Sequence, residues 1–252
     1  QGLARLREAG IAAESGVLEA EAAALNPGFI KRMMRGLPFV RLKIAASLDG
    51  RTALASGESQ WITGPAARAD GHRLRARSSA VMVGIGTALA DDPRLTARDT
   101  GFAVERQPLR VVLDGDGRLP AAARLLNDGG QTLVFSATDS AAATMNAAAA
   151  NIERVGRRGD HLDLEAVLRR LAELECNEVL VEAGAKLNGA LLEAGLVDEI
   201  VVYLAPTLLG DAGRGMFALP GLATLADRPR LRLMDQRSLG DDWRLIYRPV
   251  ET

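Results

Sequence analysis

The chain has 252 residues and a formal net charge of −1, with 48% hydrophobic and 25% charged residues. That length buries a substantial core as one large domain or as a domain with an appendage. No run approaches the roughly 20 apolar residues that span a bilayer, and near-neutrality supplies no general field for a nucleic acid. A single cysteine, Cys176, and two distant histidines, His72 and His161, exclude an internal disulfide and a Cys/His zinc site. With no secretory signal at its start, the chain is expected in the cytoplasm.

In chain order, Leu3, Leu6 and Ala9 predict a short helix stopped by Gly10. Residues 11–17 follow as a short strand, and residues 18–34 as helical segments interrupted at Asn26-Pro27-Gly28. "FVRLKIAASLDG" (39–50) reads as a largely buried strand. A helix is expected over 65–77, with Pro65 in its first turn, where a missing N–H costs nothing. Short apolar strands follow at 80–87, 109–115 and 131–137, then an alanine-rich helix at 140–150. Leu164, Val167, Leu168 and Leu171 stand at i, i+3, i+4 and i+7, the stripe of an amphipathic helix. Beyond it come a strand at 178–181, a helix from about 185 to 194, a strand at 198–206, and two final strands at 230–237 and 243–248. Strands separated by helices mean an α/β fold with a mixed, mainly parallel central sheet flanked by helices.

Three of these strands run into glycine, at Gly84-Ile85-Gly86, Asp114-Gly115 and Ala183-Gly184. In open α/β sheets ligands bind beyond the carboxyl ends of the strands, and a helix beginning after Gly184 would aim free N–H groups at an anion such as a diphosphate. Strand-to-helix turns also use glycine for steric reasons alone, and G-x-G-x-x-G is unmatched because position 89 is Leu. Polar density adds to the signal. Only Lys31, Lys43 and Lys186 among 31 basic residues are lysines, so Lys43 in a buried strand and Lys186 in a glycine-rich stretch stand out. "ADDPRLTAR" (90–98) puts Asp91, Asp92, Arg94 and Arg98 in one loop. A solvated turn explains it equally well by itself; with Lys43, Ser47, Asp49, Ser59, Trp61 and Arg75 it suggests converging anion-binding arginines and hydrogen-bonding carboxylates. Trp61 has the ring to stack on a planar ligand, although an isolated tryptophan is more often in the core. No nucleophile–base pair and no phosphate-binding P-loop motif is visible. The chemistry left is that of a positioned cofactor, and hydride transfer fits because it asks mainly for orientation.

Three blocks, "FVRLKIAASLDGRTALASGESQWITGPAAR", "LRARSSAVMVGIGTALADDPRLTAR" and "VLVEAGAKLNGALLEAGLVDEIVVYLAPTLLG", resemble the pyrimidine reductase of riboflavin biosynthesis, the reductase half of a bifunctional deaminase/reductase. The resemblance runs over about residues 38–249. It implies a dihydrofolate-reductase-like fold and reduction of 5-amino-6-(5-phosphoribosylamino)uracil to the ribitylamino compound with NADPH, the hydride going to C1′ of the opened ribose. It implies NADPH contacts at Ala45, Trp61, Thr87, Asp91, Gly184, Ala185, Lys186, Leu187, Asn188, Gly189 and Ala190, and substrate contacts at Ser59, Arg75, Leu95, Arg98 and Glu182. Lys43 and Asp91 are the candidates for polarising or protonating the reacting centre. No metal is implied, and a homodimer is expected. Where members of the family often carry serine after the aspartate of "VVLD", this chain has Gly115, which puts a cofactor contact there in doubt; Lys186 is a candidate to compensate.

Residues 1–37 resemble the end of the deaminase half plus a linker, with 38–252 as the reductase domain. The H-x-E and P-C-x-x-C zinc elements of deaminases are missing, so no deaminase activity is expected of this chain. A start at Gln1 rather than Met suggests an excerpt of a longer protein with a deaminase domain upstream. The competing reading is another NADPH-dependent reductase of the same fold with a pterin or pyrimidine substrate. From a different class, a non-catalytic assembly module would have shed the polar residues that this chain keeps.

Overall fold

The computed structural model describes residues 2–138 and 150–250; the helix expected at 140–150 lies essentially outside them. The strands are β1 (Phe39–Ser47), β2 (Arg51–Ala53), β3 (Ala80–Gly84), β4 (Leu109–Leu113), β5 (Thr132–Ser136), β6 (Asn151–Arg154), β7 (Arg157–Arg158), β8 (His161–Leu162), β9 (Glu178–Val181), β10 (Glu199–Ala205), β11 (Arg214–Gly215), β12 (Leu231–Leu239) and β13 (Asp242–Pro249). Nine of them form one sheet in the order β12-β13-β10-β1-β9-β3-β4-β5-β6. From β10 to β6 neighbouring strands are parallel, while β13 runs antiparallel to β10 and to β12. The mixed, mainly parallel sheet expected from the sequence is therefore present.

Helices cover the sheet because the strands between β10 and β5 are largely apolar on both faces, except β1, whose second face carries Arg41, Lys43 and Ser47. On β1, Val40, Leu42, Ile44 and Ala46 enter one core. It is closed by Leu164, Val167, Leu168 and Leu171 of α7 (Leu164–Glu173) and by Leu191 of α8 (Ala185–Glu193). On the opposite face Val81, Val83, Val112, Val134, Leu180 and Val201 pack under α4 (Pro65–Arg77), α5 (Ile85–Asp91) and α6 (Arg124–Asn127). Each such side chain contributes about 1.5–3 kcal/mol through burial. Local signals fix the helix starts: Pro65 opens α4, and the Asp163 carboxylate accepts from Ala166 N at 3.1 Å to cap α7.

Before the sheet come α1 (Gly2–Glu8), α2 (Glu19–Leu25) and α3 (Pro27–Arg35). Helices α1 and α2 bury no residue. In contrast, α3 sits hard against the sheet's amino edge. Lys31 Nζ lies 2.6 Å from Asp198 Oδ2, and Arg32 Nε donates to Asn177 Oδ1 at 2.7 Å. Gly28 approaches so closely that a Cβ there would fall 2.6 Å from Asn177 O.

Two expectations need correction, and some short strands were not expected at all. Residues 11–17 form no strand; a single valine and one isoleucine among alanine and glycine give nothing to pair. Residues 85–87 turn helical, as α5, instead of extending β3. The short strands β2, β6, β7, β8 and β11 carry too few apolar residues to announce themselves.

Candidate active site

The chain crosses from β1 to β3 and leaves a gap that β9 later fills, so β1, β9 and β3 stand side by side although far apart in sequence. Their carboxyl ends bring Ser47, Glu182 and Gly84 to one edge at the switch point, where a crevice opens in such sheets.

Lys43 lies on the face of β1 covered by α4. Its stem passes Gly71, and its ammonium sits 5.7 Å from the centre of the Tyr203 ring. Burial lowers its pKa, Glu182 raises it, and Arg75 lowers it further; the net direction is down. Glu182 follows β9 directly. Arg75 of α4 grips its carboxylate with both arms of the guanidinium, Nε to Oε1 at 2.6 Å and Nη2 to Oε2 at 2.8 Å. Burial pushes this carboxyl up, but Arg75, then Lys43 and His72, outweigh burial and hold it at about 2. Arg75 also donates through Nη1 to Thr96 O at 3.0 Å, and His72 Nδ1 donates to the same carbonyl at 3.2 Å. Burial, then the positive charges of Arg75 and Arg98, depress His72 to about 4, so it is neutral at pH 7.

These contacts fasten the loop after α5 to α4. Leu95 is buried with φ +54°, a left-handed conformation rare for leucine. Arg98 projects half exposed, and among the described residues its guanidinium meets Thr96 Oγ1 at 3.4 Å and Asp99 at 3.7 Å. Beneath the site, Asp70 Oδ2 accepts from Tyr203 Oη at 2.7 Å and from Arg244 Nη1 at 2.9 Å, and Arg244 continues to Asp235 at 2.9 Å. The Tyr203 hydroxyl is held protonated by burial and by Asp70.

Above the β9–β3 edge two helix N-termini open. Gly184 precedes α8 with no side-chain cap, and a Cβ at Gly184 or Gly86 would meet nothing within 4 Å. Free N–H groups facing open space fit the diphosphate of a dinucleotide. Within α8, Asn188 Nδ2 donates to Ala183 O and Met216 O, both at 3.2 Å, while its buried Oδ1 has no partner among the described residues. A Cβ on Gly189 would collide with Ala218 O, so close packing requires glycine there. Lys186 stands exposed in the first turn, and Ala185, Leu187 and Ala190 are half-buried.

The remaining expected residues divide. Ala45 is half-buried beside Tyr203 in the β1–β10 register. Trp61 is 68% exposed with Arg68 stacked 4.8 Å from its ring, which removes the core reading. Thr87 is half-buried in the first turn of α5. Ser59 is half-buried in the β2–α4 loop without a hydrogen bond among the described residues. Asp91 lies exposed six residues along α5, about 9 Å beyond its start. Burial raises its pKa, and it joins no hydrogen bond among the described residues. The wider convergence expected does not form. Ser47 Oγ bonds Asp49 Oδ1 at 2.5 Å, and Asp49 takes the Gly210 N–H at 2.7 Å, pinning a loop. Asp92 accepts from Arg124 N at 2.8 Å, and Arg94 pairs with Asp128 at 3.0 Å. Sequence reasoning missed His72, Thr96, Asp70, Tyr203 and Arg244. Of these His72, three residues before Arg75 on one helix face, had a readable signal.

A parallel sheet with an antiparallel hairpin at its β10 edge, and an Arg75–Glu182 pair with Lys43 nearby at the switch point beneath open helix N-termini, define a protein of the dihydrofolate-reductase-like class. The model of the RibD C-terminal domain matches residues 38–245, and the chain belongs to that family. It is 44% identical to the riboflavin biosynthesis protein RibD of Escherichia coli over 96% of this chain and 68% of that protein. It is 42% identical to RibD of Haemophilus influenzae over 99% and 68%. The structure of Acinetobacter baumannii RibD superposes with a TM-score of 0.87 at 42% identity, covering 98% of this chain and 67% of that one. A diaminohydroxyphosphoribosylaminopyrimidine deaminase/5-amino-6-(5-phosphoribosylamino)uracil reductase from Thermotoga maritima gives 0.85 at 29% identity, covering 99% and 67%. The chain thus spans about two thirds of the length of these relatives.

Proposed function

We propose that the chain is a pyrimidine reductase of riboflavin biosynthesis, reducing 5-amino-6-(5-phosphoribosylamino)uracil to its ribitylamino product with NADPH. The observation that carries this reading is the Lys43–Glu182–Arg75 cluster at the switch point, flanked by open helix N-termini on one side and the half-exposed guanidinium of Arg98 on the other.

Reduction at C1′ needs the ribose opened to a C1′=N imine, one hydride at carbon and one proton at nitrogen. When bound, the dinucleotide would supply the hydride. Lys43 is placed to give the proton, because burial weakens its hold on it. Glu182, ionised at every working pH, accepts hydrogen bonds from ribose hydroxyls. Arg98 holds the phosphate, and Trp61 and the 184–190 segment carry the cofactor. Ser59, Leu95, Ala45 and Thr87 shape the walls. Asp91, at the end of α5 with its carboxyl raised by burial, is the second candidate for the proton step and also stands on the cofactor side.

Helices α1–α3 read as the end of a deaminase domain. Exposed Leu231, Leu233, Met234 and Trp243 on the β12–β13 hairpin suit a homodimer contact, and the protein is read as cytoplasmic. Reaction with NADPH carrying deuterium at the nicotinamide C4 tests the chemistry: the product should hold one deuterium at C1′, and unlabelled product would contradict it. Arg98→Ala should raise KM about tenfold or more for the phosphorylated substrate and much less for its dephosphorylated analogue; equal effects would remove the phosphate role.

A further inference from the structure

Arg157 follows β6 in sequence, yet its guanidinium reaches across the carboxyl end of β4. Nη2 donates to Gly115 O at 3.1 Å and also binds Asp116 Oδ1. Both contacts use the same nitrogen. Nε and Nη1 make no hydrogen bond among the described residues, and the side chain is 38% exposed. The guanidinium passes close over Gly115, where a Cβ would sit 3.0 Å from Nη2 and make the side chain shift slightly.

Position gives the spare donors a meaning. The reacting end of a dinucleotide belongs over β1 and β9, at Lys43 and Glu182, and its diphosphate belongs at the helix N-termini over β9 and β3. Continuing the same way along the sheet order leads to β4. Strands lie about 4.8 Å apart, so the β4 turn is about 10 Å from the start of α8, within reach of the adenosine ribose. Asp116 alone at such a strand end would accept from a ribose 2′-hydroxyl and repel a phosphate. Arg157 neutralises Asp116, and with Nη2 taken its Nε and Nη1 N–H groups remain to donate separately, not as a fork, to phosphate oxygens.

We propose that Arg157 is the residue that recognises the 2′-phosphate of the dinucleotide and sets preference for NADPH over NADH. The assignment rests on the reductase reading above, and it places the specificity element across the Gly115 turn rather than at Lys186. Lys186, in the first turn of α8, serves the diphosphate common to both cofactors.

Calorimetric titration of the purified chain with NADPH and with NADH, without substrate, tests it. Arg157→Ala should raise the Kd for NADPH by about tenfold or more and change that for NADH by less than about twofold. Arg157→Lys should recover part of the loss, and Lys186→Ala should weaken both cofactors alike. An Arg157→Ala variant that melts like wild type yet keeps the wild-type NADPH/NADH ratio would overturn the assignment, as would a ratio that collapses in Lys186→Ala instead. Binding of neither dinucleotide by the wild-type chain would overturn the reductase reading itself, and this assignment with it.

Discussion

Burial acts against the charges of both Lys43 and Glu182, with opposite outcomes. Glu182 has a bidentate guanidinium partner that overcomes desolvation, whereas Lys43 has only an aromatic face and a shared carboxylate. Glu182 therefore keeps a fixed negative charge, while burial loosens the hold of Lys43 on its proton. If Lys43 donates that proton, kcat is retained at low pH and lost as pH rises through its pKa. The alkaline limb should then fall below 10.5, the ordinary lysine value, and be missing from the residual activity of Lys43→Gln. Arg75→Met should strand a buried carboxylate and cost about 3–5 kcal/mol in urea unfolding. His72 adds an acid sensitivity: its folded pKa of about 4 lies below the ordinary 6.5. The unfolded chain then binds the extra proton first, and the His72 contribution is complete above pH 6.5 and drains away toward pH 4. A His72→Gln variant should show a flatter melting temperature over that window.

At the scale of elements, α7 was legible because four leucine and valine residues repeat at helical spacing over a capped start. Leu168→Ala in that stripe should cost about 2–5 kcal/mol. The strand cores were equally plain, since parallel strands buried on both faces read as unbroken apolar runs. Strands β6–β8 were not, being two to four residues long and largely polar. In the site, Arg75 and Glu182 were marked by resemblance, and their mutual grip needed the fold: 107 residues separate them. Asp70 and Tyr203 stand 133 residues apart with no local pattern joining them. Ser47 and Asp49 misled in the other direction, because polar residues at a strand end serve turns as readily as ligands. Gly189→Ala should force α8 away from Ala218 and weaken cofactor binding, while the exposed Leu89→Ala should be neutral within about 0.5 kcal/mol.

Two polar assemblies tie the whole molecule together. At the amino edge of the sheet, Arg41 is nearly buried between Glu178 and Glu199, at 2.7 and 2.6 Å, beside the Lys31–Asp198 pair that anchors α3. Beneath the site, the Tyr203–Asp70–Arg244–Asp235 chain links β10, α4 and the terminal hairpin. Deleting residues 1–18 should therefore barely change the melting temperature, since α1 buries nothing. Deletion through residue 35 should lower it by about 4 °C or more.

The most direct measurement of the central claim is NADPH oxidation by the purified chain, with 5-amino-6-(5-phosphoribosylamino)uracil as substrate and the product identified by mass spectrometry. The structure predicts one ribitylamino product formed per NADPH consumed, and loss of that turnover in Lys43→Gln. NADPH binding without turnover by the wild-type chain, or full activity in the variant, would contradict it.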